Sequence, residues 1–171
     1  MNNNVFVNKM SLLQGISFGF ITGITTTLGV IIGMYSNTKS HKLVILSVLL
    51  LAISDGLADS YGMYTSLKKE SKKDIYSALI KSTYLFISKV MISCILILPF
   101  ILMTYSKKNI PAIISITMAV FGILLLSWIE TLSKPLSKPF HYFITQSLLH
   151  VAILTFICVV TFLVSRFIDK I

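Results

Sequence analysis

Residues 43–63 read LVILSVLLLAISDGLADSYGM. The first eleven carry one hydroxyl and no charge, and two carboxylates, Asp55 and Asp59, then follow one helical turn apart. The apolar residues run on without helical or strand spacing. A stretch of roughly 18 or more such residues reads as a membrane span. Comparable runs occur at about 12–34, 79–103, 110–129 and 143–167, and the second extends to about 66. Each has the ~20 residues needed to cross a hydrocarbon core of about 30 Å. The expected fold is therefore all-α: a polytopic transmembrane helix bundle of five spans, forming a single domain over residues 1–171.

Composition agrees. Of 171 residues, 55% are hydrophobic and 12% charged, and the mean hydropathy is +0.86. A soluble domain carries about twice that charged fraction. The net charge of +9 is spread as scattered loop lysines, without a basic stripe interleaved with aromatics, so nucleic acid is not an expected partner. Such lysines suit the headgroups of a lipid bilayer. The N-terminus, MNNNVFVNKMS, has one lysine and no small-residue cleavage site, so the first span is expected to be retained. Five spans put the termini on opposite sides. Four lysines in the second loop (Lys68, Lys69, Lys72, Lys73) against two in the first (Lys39, Lys42) predict a cytoplasmic N-terminus. Cys94 and Cys158 fall inside spans and read as small buried hydrophobes, with no disulfide framework implied.

The spans differ in kind. The first two hold seven of the eight glycines, and the second holds both deeply placed acids. Asp55 falls near mid-membrane, where a carboxylate costs on the order of 3 kcal/mol. Asp55, Asp59 and Met63 lie at i, i+4 and i+8, on one helix face. Such a pair of acids either shares protons or binds a cation. Carboxylate oxygens suit hard divalent ions, and the thioether of Met63 softens the set toward transition metals. The competing reading is a structural pair neutralised by Lys81 or Lys89 of the third span.

In the first span Gly15, Gly19 and Gly23, and again Gly29 and Gly33, are spaced by four, the pattern that lets helices approach closely in lipid. Either they pack within the subunit or they face a subunit interface or pathway. Thr22, Thr25, Thr26 and Thr27 beside them either bond their own backbone or face that pathway. Gly62 belongs with the small residues around the acids. Glu130, at the end of the fourth span, and His150, inside the fifth, are candidate proton relays; the alternatives are an interfacial acid and an interhelical hydrogen-bonder. Pro99 is expected to bend or end the third helix, Pro111 to occupy a first turn, and Pro135 and Pro139 to punctuate the fourth loop.

With these residues in view, the chain resembles the vacuolar iron transporter family. FGFITGITTTLGVIIGM (residues 18–34) is similar to that family's first helix, and ISDGLADSYGMYTS (residues 53–66) to its second, with Asp55, Gly62, Tyr64 and Ser66 on matching positions. Thr22 stands where the family has an aspartate, Asp59 where it has a methionine, and Met63 where it has a glutamate. The acid and the thioether have changed places. The basic stretch LKKESKKDI (residues 67–75) replaces a carboxylate-rich cytoplasmic region. The resemblance implies a homodimer with a pathway between paired first and second helices. It also implies transport of Fe2+ or Mn2+ in exchange for protons, with no permanently bound cofactor. An enzyme reading is weaker. Asp55-Gly56-Leu57-Ala58-Asp59 faintly echoes CDP-alcohol phosphotransferases, but the further aspartates they need are missing after Gly62. An intramembrane aspartyl protease would need acids on two helices.

Overall fold

In lipid every backbone N–H and C=O must find a partner within the protein, which a long helix provides from its own ladder. The computed structural model describes residues 2–70, 75–103, 109–132 and 139–168, with side chains from residue 12 onward except 69, 70 and 139. These residues form five α-helices and, among the described residues, no strand. They are α1 (Asn2–Thr38), α2 (His41–Glu70), α3 (Ile75–Leu102), α4 (Ile110–Leu132) and α5 (Pro139–Ile168). All five are long and apolar enough to cross a membrane. The expected five-span, all-α class is the observed one.

The helices outlast the apolar runs, because polar residues at a span's end still extend its hydrogen-bond ladder. The α1 helix begins at Asn2, ten residues before the first run, and α2 continues to Glu70. Two residues separate α1 from α2. Lys39 takes the left-handed conformation (φ 52°) and its N–H closes on the Tyr35 carbonyl at 3.3 Å. Pro99 does not stop α3, which runs three residues further. Pro111 sits in the first turn of α4, as its missing N–H favours. Pro135 and two of the four second-loop lysines behind the topology expectation, Lys72 and Lys73, lie outside the described residues.

The chain divides into two compact units. Unit 1 comprises residues 1–27 and 46–95, and unit 2 comprises residues 28–45 and 96–171. Large apolar side chains are exposed on α2, α3, α4 and α5, among them Leu50, Leu102, Phe121 and Phe156, as a lipid solvent requires.

Unit 1 packs through glycine. A Cβ at Gly15 would overlap the backbone carbonyl of Lys81, and one at Gly19 would overlap that of Leu85. One at Gly23 would run into the Ile92 side chain and stand 3.2 Å from Lys89 Cα. The first glycine series is thus the surface on which α1 and α3 come close, within one chain. In unit 2, Tyr35, His41 and Phe100 form an aromatic cluster with centroids 5.2–5.6 Å apart. There α4 packs on α5, with Trp128 edge-on to Phe143 at 5.4 Å.

Candidate functional site

The site is built in unit 1 from α2 and α3. Asp55 is about 21 Å along the axis of α2 from His41, at 1.5 Å per residue, and Lys89 is the same distance along α3 from Ile75. Both helices are about as long as a bilayer with its headgroups is thick, and both residues fall at mid-helix. Lys89 is 1% exposed. Its Nζ donates to Asp55 Oδ2 at 2.6 Å and to Asp59 Oδ2 at 2.5 Å. The i, i+4 spacing of the acids presents both to one ammonium, as the helical repeat dictates.

Glycines on two helices border Lys89. Gly23 of α1 borders Lys89 Cα, and a Cβ on Gly56 of α2 would stand 3.9 Å from Lys89 Cδ. The same Cβ would be 3.1 Å from Phe86 Cδ2. One turn beyond, Ser93 Oγ donates to the Lys89 carbonyl at 2.9 Å and shares a 2.7 Å bond with Thr27 Oγ1 of α1. The helix carrying the ammonium is therefore tied to α1 by both glycine packing and a buried hydroxyl pair.

The carboxylates are not sealed off. Each is 31% exposed. Asp59 lines an open cavity of about 400 Å³ together with Met63, Gly62, Ala58, Ser66 and Phe18. Two carboxylates and one ammonium leave the ionised triad with one negative charge, beside a space large enough for an ion and its waters.

The sequence-predicted residues sort as follows. Asp55 and Asp59 come together through Lys89, and Asp59, Gly62 and Met63 meet on the cavity. Lys81 gives its backbone to the Gly15 contact. Gly19 and Gly23 pack on α3 of the same chain. Thr22, Thr25 and Thr26 turn their hydroxyls back onto carbonyls of α1 at 2.8–3.0 Å. Thr22, on the position where the resembling family has an acid, is thereby occupied by its own helix. His150 belongs to unit 2, where its Nδ1 is 3.3 Å from Ser127 Oγ. Glu130 lies half-buried near the end of α4, one turn past Ser127. No group of three or more His, Cys, Asp or Glu side chains able to hold a metal occurs among the described residues. Any metal set here needs the thioether or water besides the two acids. Sequence reading did not find the Thr27–Ser93 pair. Two hydroxyls deep in different apolar spans were the only sign of it.

Fold and site together define a polytopic α-helical protein with five membrane-crossing helices and an acid–lysine–acid triad at mid-helix depth. No protein-family model, curated protein or solved structure matches the chain.

Proposed function

We propose that this protein carries a divalent transition-metal ion, Fe2+ or Mn2+, across a membrane in exchange for protons. The supporting observation is the triad itself: two mid-helix acids share a single ammonium and one of them borders a cavity with a thioether on its wall. A leftover negative charge at that depth is costly unless a proton or a metal cation neutralises it. Asp59 and Met63 supply the mixed oxygen and sulfur donors that suit a transition metal. The similarity of residues 18–34 and 53–66 to vacuolar iron transporters points to the same cargo.

The reading includes an N-terminus in the cytoplasm and a homodimer. For the latter, α2 offers Ser54, Ala58, Gly62 and Ser66 at four-residue spacing on an exposed face, and a Cβ at Gly62 would touch nothing within 4 Å. A second copy on that face would cover the cavity beside Asp59.

Metal uptake into proteoliposomes tests the reading. The wild type is expected to take up Mn2+, and Asp55→Asn to fall to the level of protein-free vesicles. Metal and protons compete for the same oxygens, so uptake and binding should weaken steadily from pH 8 to pH 5. Equal uptake by wild type and Asp55→Asn would refute transport through this site. One observation favours a second reading, a non-transporting membrane scaffold: Lys89 already engages both acids. On that reading Asp55→Asn lowers thermal stability and the wild type moves no metal at any pH.

A further inference from the structure

Lys89 donates to both carboxylates that the proposed function assigns to the cargo, with Gly23 against its backbone and Gly56 beside its stem. Its ammonium stands between the two acids. We propose that Lys89 is the site's own tethered cation, a built-in competitor that an arriving metal ion must displace from Asp55 and Asp59. This deepens the transport reading and rests on it.

The argument is electrostatic and geometric. A second cation placed against either acid sits a few Å from a fixed positive charge. A like charge that close opposes binding by one to three decades. The acids are partly exposed, and the cavity beside Asp59 gives an ion a route of approach. A site of two acids and a thioether without the lysine would hold a transition metal tightly and release it slowly. With the lysine, release is assisted, because the returning ammonium takes the oxygens as the metal leaves. Lys89 also restricts the choice of cargo. Ions that bind carboxylate weakly do not displace it, so the site selects for divalent ions over Na+ or K+.

The test is Mn2+ binding to purified full-length protein in nanodiscs, read by electron paramagnetic resonance, beside Mn2+ uptake into vesicles. Lys89→Met is expected to bind Mn2+ at least about tenfold more tightly than wild type, the lower bound for removing a like charge at this range. Its turnover in uptake should fall. A merely structural lysine would do the opposite, weakening binding as the site disorders. Should Lys89→Met fail to fold, the comparison moves to Asp55→Asn against Asp55→Asn/Lys89→Met. The double variant keeps the wild-type net charge of the triad and leaves Asp59 unclamped on the cavity. It is expected to bind at least about tenfold more tightly than the single variant.

Equal or weaker binding on removal of the lysine, in either background, overturns the competitor role. With wild-type uptake intact, that result leaves the transport reading standing. Mn2+ binding by the lysine-free variants alone, with no wild-type uptake, supports the competitor role and refutes transport. No binding by any variant refutes both.

Discussion

The two ends of α1 carry the same glycine spacing and use it differently. In unit 1, Gly15, Gly19 and Gly23 stand where a single added carbon would collide with α3. In unit 2, a Cβ at Gly29 would make ordinary contacts of 3.4 and 3.7 Å with Thr161 and Ile157, and one at Gly33 would meet nothing within 4 Å. The salt-bridged groups among the described residues fall in unit 1, beside the neutral Thr27–Ser93 pair. Unit 1 holds charge: two acids and a lysine. Unit 2 holds neutral polar pairs, with Ser36 and Ser165 sharing a 2.5 Å bond and Ser127 meeting His150. Close backbone approach and buried charge occur together in unit 1. Gly23 of α1 admits the Lys89 backbone closely, and Gly56 of α2 faces its stem at ordinary contact distance. A four-residue glycine repeat thus shows that helices are able to come close, but not whether anything does.

The sharpest way to break this contrast is to fill one glycine from each series. Gly19→Val puts a branched side chain against the Leu85 carbonyl and the Ser88 hydroxyl, where backbone as well as side chain must give way. A cost of about 3 kcal/mol or more is expected, at the upper end for overpacking. The Lys89 clamp should be lost with it, seen as collapse of the monodisperse detergent peak and of Mn2+ uptake. Gly33→Ala has open space and a helical backbone, so it should stabilise by about 0.5–1 kcal/mol through helix propensity alone. Thermal melts of the two variants in the same detergent make the comparison. Similar losses for both would show that the glycine series are equivalent after all.

How much of this could be read from sequence follows from what is local. The five helices were legible because hydropathy over ~20 residues decides whether a segment belongs in lipid. Their ends were not, since helix and span stop for different reasons: α2 runs to Glu70, past the last apolar residue, on its own hydrogen-bond ladder. The acid pair was legible as a cost without a compensation in its own helix, and Lys89 as one of two third-span lysines, with Lys81, able to neutralise it. That one ammonium serves both acids depends on the rotational phase of α2 against α3. Gly56, where a Cβ would press on Phe86 of α3, bears on that phase, and spacing along one chain does not reveal it. The threonines show the same limit. Thr22 and Thr26 look available in sequence, yet their hydroxyls are taken by α1 carbonyls, whereas Thr27 turns to Ser93.

The smaller effects concern the uncharged contacts, and they sharpen the comparison between the units. Thr27→Val removes a hydroxyl that is 1% exposed and leaves the Ser93 hydroxyl bonded only to the Lys89 carbonyl. About 1 kcal/mol of stability should be lost, within the range for interhelical hydrogen bonds in lipid. Because Ser93 shares the α3 turn that carries Lys89, a loosened ammonium competes less for the acids, and Mn2+ affinity should rise. Ser127→Ala in unit 2 removes a fully buried hydroxyl whose partner, His150 Nδ1, is only half-buried and 3.3 Å away. The bond is long, and the imidazole has other ways to be solvated. The loss should therefore be about 0.6 kcal/mol, the average for such bonds, with Mn2+ uptake unchanged. Reversible unfolding in mixed micelles gives both energies. A Ser127→Ala variant that loses uptake at unchanged stability would put His150 on the proton path and join the two units in one function.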